Sequence, residues 1–235
     1  DELIYCSEAA NSTFSGNVLT GPGRGIYANN ASGSTVSNNS VETDNGTAAI
    51  DMEHCDDCTF DSNTITNRPY RGIWAQYADS TSITNNNIDV QYTGIEAQEG
   101  SYLTIENNTV TNFEEYGIYF RSSQNSTVTY NRLFSMDGGG WKRGIDGDSG
   151  GISSSVSNNY VNMYQTDDWE ESIGIVCHDC TLEQDTVYTY GDWDDDIGIR
   201  AIRADRSIIK NCNIYISHHS NVDWGGNPIA IESYA

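Results

Sequence analysis

The sequence predicts an all-β fold: a parallel β-helix solenoid of about ten coils, without a capping helix, in one domain that covers residues 1–235. Three observations support this prediction. An apolar residue recurs about every 23 residues, two further apolar positions follow it at nearly fixed offsets, and an Asn lies between those two positions in most repeats.

The first apolar position opens each repeat and often follows a Gly, as in "GIY", "GIW" and "GIE". Polar and apolar residues alternate around it, which is the period of a strand. Pro is nearly absent, and no segment keeps a helical period. We call these positions the anchors: Ile4, Ile26, Ile50, Ile73, Ile95, Ile118, Ile145, Ile175, Ile199 and Ile231.

Two more apolar columns complete each repeat. A unit with three such short strands cannot bury its apolar side alone, so the units are expected to stack, each strand pairing with its equivalent one coil later. The second column is Phe14, Val36, Phe60, Ile83, Ile105, Val128, Val156, Leu182 and Ile209. The third column is Leu19, Val41, Ile65, Ile88, Val110, Leu133, Val161, Val187 and Ile214.

A polar column lies between the second and third apolar columns. Asn tolerates the left-handed backbone conformation of a tight corner, and its amide can also bond to the Asn of the next coil. Both properties are expected here. The column is Asn17, Asn39, Asn63, Asn86, Asn108, Asn131 and Asn159, continued by Asp185 and Cys212.

Small residues form a further column, five residues after the anchor, where a crowded inner corner is expected. Its members are Ala9, Ala31, Cys55, Ala78, Gly100 and Ser123, and Cys177 and Ala204 are assigned to the same place.

Segments such as "GIWAQYADSTSITNNNI" and "GIYFRSSQNSTVTYNRL" resemble the repeat of the right-handed parallel β-helix superfamily, which includes pectate-lyase-like proteins. The resemblance extends from Leu3 to Ile231 and implies a right-handed solenoid. It implies no single function, because the superfamily contains lyases, hydrolases, epimerases, phage tailspikes and surface proteins. No lyase motif of the superfamily matches residue by residue.

The chain is strongly acidic, with 34 Asp and Glu against 11 Lys and Arg and a net charge of −23. This charge disfavours nucleic acid and anionic membranes as partners. No run is long and apolar enough for membrane insertion, and the opening "DELIYC" is expected of a processed chain. Paired cysteines and glycosylation sequons favour an extracellular or cell-surface protein. The sequons begin at Asn11, Asn30, Asn38, Asn45, Asn107 and Asn125.

The strand after each anchor directs alternate residues outward, and in the middle coils these are carboxylates, aromatic residues and one Arg. This composition suits a sugar-binding groove, although any exposed strand of an acidic protein carries some carboxylates. If the protein is an enzyme, a lyase or a glycoside hydrolase, the catalytic candidates are Asp51, Glu96, Arg121, Asp146 and Asp148. The sugar-stacking candidates are Trp74 and Tyr119.

The coils of residues 1–134 have short turns, whereas residues 135–235 contain longer loops, each with a Trp. These loops are either a binding surface or packing for the solenoid body. The Trp residues, all glycan-binding candidates, are Trp141, Trp169, Trp193 and Trp224. The acidic loop residues Asp167, Asp168, Asp194, Asp195 and Asp196 are calcium candidates, but they follow no known loop pattern. No other cofactor is expected.

The segments "HCDDC" and "CHDC" suggest a zinc site, since Cys-x2-Cys pairs are common metal ligands. However, Cys55 and Cys58 lie five coils from Cys177 and Cys180, roughly 24 Å at about 4.8 Å per coil. We therefore predict two local pairs, oxidised or adjacent, and no shared metal.

The first and last predicted strands leave unpaired edges at the two ends of the solenoid. Three partners would cover these edges: a second copy stacked end to end, neighbouring domains outside this chain, or another protein. The first predicts self-assembly, in which copies join head to tail into a homopolymeric filament, hoop or sheath. The composition also resembles that of archaeal surface-layer and sheath proteins. The predicted junction contains Leu3, Ile4, Cys6, Ile229, Ile231 and Tyr234. The alternative is a polysaccharide-active enzyme or a carbohydrate-binding domain.

Overall fold

A computed structural model of the protein describes residues 2–44, 47–136, 140–147, 153–165, 171–191, 199–218 and 229–232. Every regular element in these residues is a β-strand, and every strand pairing is parallel. The predicted all-β parallel solenoid is therefore confirmed. In these described residues no helix is long and apolar enough to cross a membrane.

Three parallel sheets form the sides of the solenoid. Sheet 1 follows the anchors and contains β1 (Glu2–Ser7), β4 (Arg24–Asn29), β7 (Ile50–Glu53), β10 (Arg71–Gln76), β13 (Thr93–Gln98), β16 (Tyr116–Arg121), β19 (Lys142–Gly147), β22 (Ser172–His178), β25 (Ile199–Asp205) and β28 (Ile229–Glu232). Sheet 2 contains β2 (Thr13–Ser15), β5 (Thr35–Ser37), β8 (Thr59–Asp61), β11 (Ser82–Thr84), β14 (Thr104–Glu106), β17 (Thr127–Thr129), β20 (Ser155–Ser157), β23 (Thr181–Glu183) and β26 (Ile208–Lys210). Sheet 3 contains β3 (Val18–Pro22), β6 (Ser40–Asp44), β9 (Thr64–Thr66), β12 (Asn87–Asp89), β15 (Thr109–Phe113), β18 (Arg132–Ser135), β21 (Tyr160–Gln165), β24 (Thr186–Gly191) and β27 (Asn213–His218).

The apolar columns form one continuous core. The side chains of the middle coils, such as Ile73, Ile83 and Ile88 in coil four, are fully buried. Strand pairing keeps the same register from coil to coil, with one irregularity between Thr111 and Phe113. The coil count is slightly lower than predicted: within the described residues, sheets 2 and 3 have nine strands each, and only sheet 1 has a tenth.

The register of coil nine differs from the prediction. Ile175 pairs with Ile202, whereas Ile199 pairs with Ser172. The anchor of this coil is thus Ile202, and the outward position after it is taken by Arg203. The segment "IRAIRAD" offers two apolar residues at short separation, so the spacing alone could not distinguish them.

The Asn column forms the predicted hydrogen-bonded ladder. In each rung the main-chain N–H and the side-chain Nδ2 both donate to Oδ1 of the next coil, as Asn86 does to Asn108 at 3.0 and 2.9 Å. The same Nδ2 donates to a main-chain carbonyl of the preceding coil, Phe60 in this case. These Asn side chains are almost completely buried, so the ladder satisfies polar groups inside the solenoid.

The expectation that these Asn residues take the left-handed conformation is wrong. The positive φ angles belong to the residue before each ladder Asn, for example Asn85 at 57° and Asn107 at 56°. The preceding residue turns the chain at the exposed corner, which leaves the ladder Asn free to point inward in an ordinary conformation.

The corner geometry also explains the sequons. All five that lie in the described residues begin with an exposed Asn in the left-handed conformation. In four of the five, the hydroxyl residue two positions later begins the next strand, as Thr109 does after Asn107; Ser32, two residues after Asn30, lies in the turn before β5. The motif therefore arises from the coil register itself. The sixth sequon Asn, Asn45, lies outside the described residues. The others are Asn11, Asn30, Asn38, Asn107 and Asn125.

Candidate functional site

The outward face of sheet 1 alternates aromatic and acidic residues along the solenoid axis. The residues after six successive anchors are in register with one another: Tyr27, Asp51, Trp74, Glu96, Tyr119 and Asp146. Each predicted carboxylate thus has an aromatic ring on the preceding coil. Asp51 and Glu96 are two coils apart, about 10 Å at the spacing of parallel strands.

Arginines hold these carboxylates. Arg24 Nε lies 3.3 Å from Asp51 Oδ2. Arg71 Nε donates a hydrogen bond to Glu96 Oε2, and Glu96 Oε1 accepts one from the side-chain amide of Gln98. The two arginines occupy the same position relative to the anchors of their own coils and reach the acid of the next coil. This position is two residues before the anchor, which explains why the spacing pattern did not reveal the pairing.

The third acid, Asp146, is paired within its own coil, where Arg143 Nη1 lies 2.5 Å from Asp146 Oδ2. Tyr116 occupies the column of the arginines and stacks on Tyr119 with ring centroids 4.5 Å apart. All three carboxylate side chains are nearly inaccessible: Asp51 is 0%, Asp146 1% and Glu96 5% exposed. The acids thus form part of a layer of ion pairs and do not face the solvent.

Asp51 has the most perturbed environment of the three. Burial, above all, raises its pKa to about 6, and Glu53 adds to this, while Arg24, Arg71 and Gln76 act in the opposite direction. Neither Asp51 oxygen has a hydrogen bond of good geometry. A carboxyl with such a pKa could donate a proton near neutral pH, but Arg24 lies against it and solvent does not reach it.

The predicted stacking platforms are also covered. The Arg71 guanidinium lies 4.6 Å from the centroid of the Trp74 ring, and Tyr116 covers Tyr119. Arg121, the predicted anion contact, is exposed on the same sheet. The structure brings Asp51, Trp74 and Glu96 together as expected, but as a closed layer and not as an open groove.

Several predicted residues lie outside the described residues, and one is well exposed. The side chain of Trp141 is 61% exposed beside β19. The residues outside the described part are Asn45, Asp148, Asp167, Asp168, Trp169, Trp193, Asp194, Asp195, Asp196, Trp224 and Tyr234.

The cysteine register is partly wrong. Cys177 pairs with Gly147 and Ala204 and therefore lies two residues after its anchor, whereas Cys55 lies five residues after its anchor. The corner of coil eight is shorter, which moves Cys177 into sheet 1. Cys177 and Cys180 form a disulfide, with Cα atoms 6.2 Å apart.

Cys55 and Cys58 are buried free thiols. The Cys58 thiol donates to the carbonyl of Ala31 at 2.9 Å. The hydrogen bond between the two thiols is the main influence on both groups. It lowers the pKa of Cys58 and raises the pKa of Cys55 well above its usual value.

Sequence reasoning missed an aromatic surface on sheet 3. We define the tyrosine face as the outward aromatic residues of β18, β21, β24 and β27. Tyr188 and Tyr215 stack with centroids 4.5 Å apart, and Tyr164 and Tyr190 stack at 4.7 Å. The signal was present in "YVNMYQ", "TVYTYG" and "NIYISH", where Tyr occupies alternate positions in successive coils. Its members are Phe134, Tyr160, Tyr164, Tyr188, Tyr190 and Tyr215.

The tyrosine face is uncharged apart from one Arg. The positions between its rings are polar but neutral, as Asn162, Thr186 and Asn213 show. Arg132 lies 5.9 Å from the centroid of the Phe134 ring at one edge. The pKa of Tyr188 is raised, mainly by partial desolvation and then by the neighbouring Tyr215. The described strands β18, β21, β24 and β27 contain no Asp or Glu, although the chain has a net charge of −23.

Metal-ligating side chains are dispersed in the described part of the chain. No group of three or more His, Cys, Asp and Glu there could hold a metal ion. His54 stacks on Tyr77, and His178 Nδ1 lies 2.9 Å from Asp205. These side chains do not make up a copper, zinc or calcium site.

Comparison with known proteins gives one family and several distant structures. The family model described as "Periplasmic copper-binding protein (NosD)" matches residues 1–137, more than half of the chain. No curated protein matches in sequence.

Two solved structures are similar in shape at low sequence identity. The Streptococcus pneumoniae surface protein and adhesin PfbA aligns over 92% of this chain and 78% of its own, with a TM-score of 0.39 and 9% identity. The catalytic domain of GH87 α-1,3-glucanase in complex with nigerose aligns over 97% of this chain and 55% of its own, with a TM-score of 0.44 and 13% identity.

Proposed function

Since the chain belongs to the family of the periplasmic copper-binding protein (NosD), a family of parallel β-helix proteins, we propose that it is a non-catalytic solenoid that binds glycans outside the cytoplasm. The observation that carries the proposal is the tyrosine face. It is aromatic, its described strands carry no Asp or Glu within an otherwise acidic chain, and Tyr215 is 51% exposed.

The chemistry of this face suits neutral sugars. Because the rings stack on one another between coils, they direct their edges and hydroxyls outward, and these hydroxyls and the nearby amides of Asn162 and Asn213 bond to sugar hydroxyls. The face extends over four coils, about 14 Å at the spacing between parallel strands, so an extended oligosaccharide can contact several rings.

Two arguments support a binding role over catalysis. The carboxylates that could act as acid and base, Asp51 and Glu96, are buried beneath Arg24 and Arg71. A general acid must reach the glycosidic oxygen, and these groups do not face a cleft. An extracytoplasmic location is supported by the family description and by the Cys177–Cys180 disulfide. Copper has no part in the proposal, because the described residues offer no set of ligands for it.

Binding to insoluble polysaccharides tests the proposal. The wild-type protein should co-sediment with at least one neutral glycan, and Tyr188→Ala with Tyr215→Ala should abolish this. Tyr5→Ala is the control, because Tyr5 is an exposed Tyr, 62% against 51% for Tyr215, that lies on sheet 1. Equal loss in the control, or undiminished binding by the double variant, would remove the tyrosine face from the proposal.

End-to-end assembly is a second candidate function. Ile231 lies in the same column as Ile4 and is 46% exposed. The basic residues of coil nine are already paired with acids of the same chain, so the support for head-to-tail contact is the continuous ladder and not charge. These residues are Arg200, Arg203, Arg206 and Lys210.

The strand count places a condition on this contact. If β1 of one copy pairs with β28 of the next, sheets 2 and 3 are one strand short at the junction, since only sheet 1 has a tenth described strand. The junction therefore depends on a single strand pair. Sedimentation of the wild type should show polymers that dissociate in Ile4→Asp and Ile231→Asp, while glycan binding persists. A wild type that stays monomeric at high concentration would exclude assembly and leave the tyrosine face untouched.

A further inference from the structure

A polar cleft of about 460 Å³ lies at the corner between sheets 2 and 3, on coils four to six. It is separate from the six rings of the tyrosine face and from the ion pairs of sheet 1. Its lining residues are Thr84, Asn85, Glu106, Asn107 and Tyr130.

Tyr130 is the unusual residue of this cleft. It stands at the corner position that takes the left-handed conformation, with a φ of 57°. Other coils place Gly16, Ser62, Gln184 or an Asn there; Gly and Asn accept this conformation at low cost, whereas a bulky aromatic residue is disfavoured. The Tyr130 side chain is 55% exposed, so packing into the core does not compensate for it. Tyr77 and Tyr102 share this conformation and exposure, so Tyr130 is distinguished by its place in the lining of the cleft.

The hydrogen bonds around the cleft leave acceptors free. Asn107 Nδ2 donates to Asn85 Oδ1, and Asn85 Nδ2 donates to Asp61, each at 2.7 Å. This exterior ladder ends at Asn107, because the next coil has Tyr130 in place of an amide. Among the described residues, the Asn107 carbonyl oxygen and the Glu106 carboxylate accept no side-chain hydrogen bond, and the Tyr130 hydroxyl makes none.

We propose that this cleft binds one pyranose ring, stacked on Tyr130 and held by hydroxyl groups that donate to Glu106 and Asn107. The free groups are two acceptors and one hydroxyl beside a flat apolar ring, which matches the hydroxyl donors and the C–H side of a neutral sugar. The pyranose ring has two sources. It belongs either to a free glycan or to an N-glycan on Asn107, as its first sugar; the sequon of Asn107 ends at Thr109.

Sugar binding to unglycosylated recombinant protein tests the first source. Saturation-transfer NMR with methyl glucoside, methyl galactoside, methyl mannoside and N-acetylglucosamine should show binding to the wild type and at least a tenfold loss of affinity in Tyr130→Ala. Tyr102→Ala is a close control, because Tyr102 is 63% exposed with a φ of 60° but lies outside the cleft. Tyr188→Ala should also leave this binding intact, which separates the cleft from the tyrosine face.

Protein from the native host tests the second source. Mass spectrometry should then find a glycan on Asn107 that disappears in Thr109→Ala, with NOE contacts between its first sugar and the Tyr130 ring. The proposal is overturned if the recombinant protein binds none of these sugars through Tyr130 and the native Asn107 is unmodified or its glycan does not contact Tyr130.

Discussion

Asn159 donates both its main-chain N–H and its side-chain Nδ2 to Oδ1 of Asp185, each at 2.9 Å. Asp185 is the last rung of the ladder, since Cys212 follows it in the column. A carboxylic acid suits this last rung because its Oδ1 accepts both hydrogen bonds and it has no amide group that would need an acceptor on the next coil. The second oxygen of Asp185 is buried without a hydrogen-bond partner. In the Asn rungs, the corresponding position is Nδ2, which donates to a main-chain carbonyl of the preceding coil.

This arrangement predicts a pH-dependent stability. Burial, which outweighs the hydrogen bonds from Asn159, raises the pKa of Asp185 from 3.8 to about 7. A carboxyl with a raised pKa contributes its stabilisation fully below its unfolded value, and this contribution is lost as the pH rises through about 7. Ionisation of Asp185 should therefore cost at most about 4 kcal/mol between pH values below 3.8 and pH 8. At most about 3 kcal/mol of this falls between pH 5 and pH 8.

Urea unfolding at pH 5 and pH 8 measures this effect. Asp185→Asn should be more stable than the wild type at pH 8 and should flatten the difference between the two pH values. Glu183→Gln is the control, because its carboxylate lies outward, 3.0 Å from Lys210. An Asp185→Asn variant with the full wild-type pH dependence would contradict the assignment.

The ladder predicts a large effect of a single interior Asn. Asn108→Ala removes the donors to Asn131 and to the carbonyl of Ile83, and it leaves the buried amide of Asn86 without an acceptor. The free energy of unfolding should fall by about 3 kcal/mol, the cost of such orphaned groups. Thermal or urea unfolding should show almost no change for Asn87→Ala, an exposed neighbour. Similar values for the two variants would show that the ladder contributes little.

The ion pairs of sheet 1 predict that Glu96 is structural. Glu96→Gln replaces an acceptor of Arg71 with an amide that partly repels it, at a site only 5% exposed. Stability should fall by about 2 kcal/mol, since breaking a buried pair leaves an uncompensated charge. The exposed Glu42→Gln on sheet 3 should have no effect in the same unfolding experiment. A fully stable Glu96→Gln protein would return Glu96 to the catalytic candidates.

The cysteines predict a graded reactivity. In the folded protein, Cys6 and Cys212 should react with iodoacetamide, but slowly, because both thiols are only partly exposed. Burial also raises the pKa of Cys212, which lowers the fraction of reactive thiolate. Cys55 and Cys58 should react only after unfolding, and Cys177 and Cys180 only after reduction. Peptide mapping by mass spectrometry reads out all six. A Cys55–Cys58 disulfide would contradict this result.

The sequence by itself determined the solenoid. The anchors, the two further apolar columns and the Asn column recur at one spacing, and only stacked coils bury all of them together. The ladder from Asn39 to Asp185 was visible in the same way, because an inward polar column must bond along the axis. Repetition makes these features readable without any knowledge of contacts between distant residues.

The tertiary structure alone decided what the outward residues do. Alternation placed Asp51, Trp74 and Glu96 on one face, but the arginines that bury these acids come from the preceding coil and from a column that the pattern did not mark. The coil-nine anchor and the column of Cys177 shifted because loop lengths vary and short apolar runs fit two registers. Inward positions are constrained by a core that every coil shares, whereas outward positions depend on the side chains of neighbouring coils, which no spacing rule specifies.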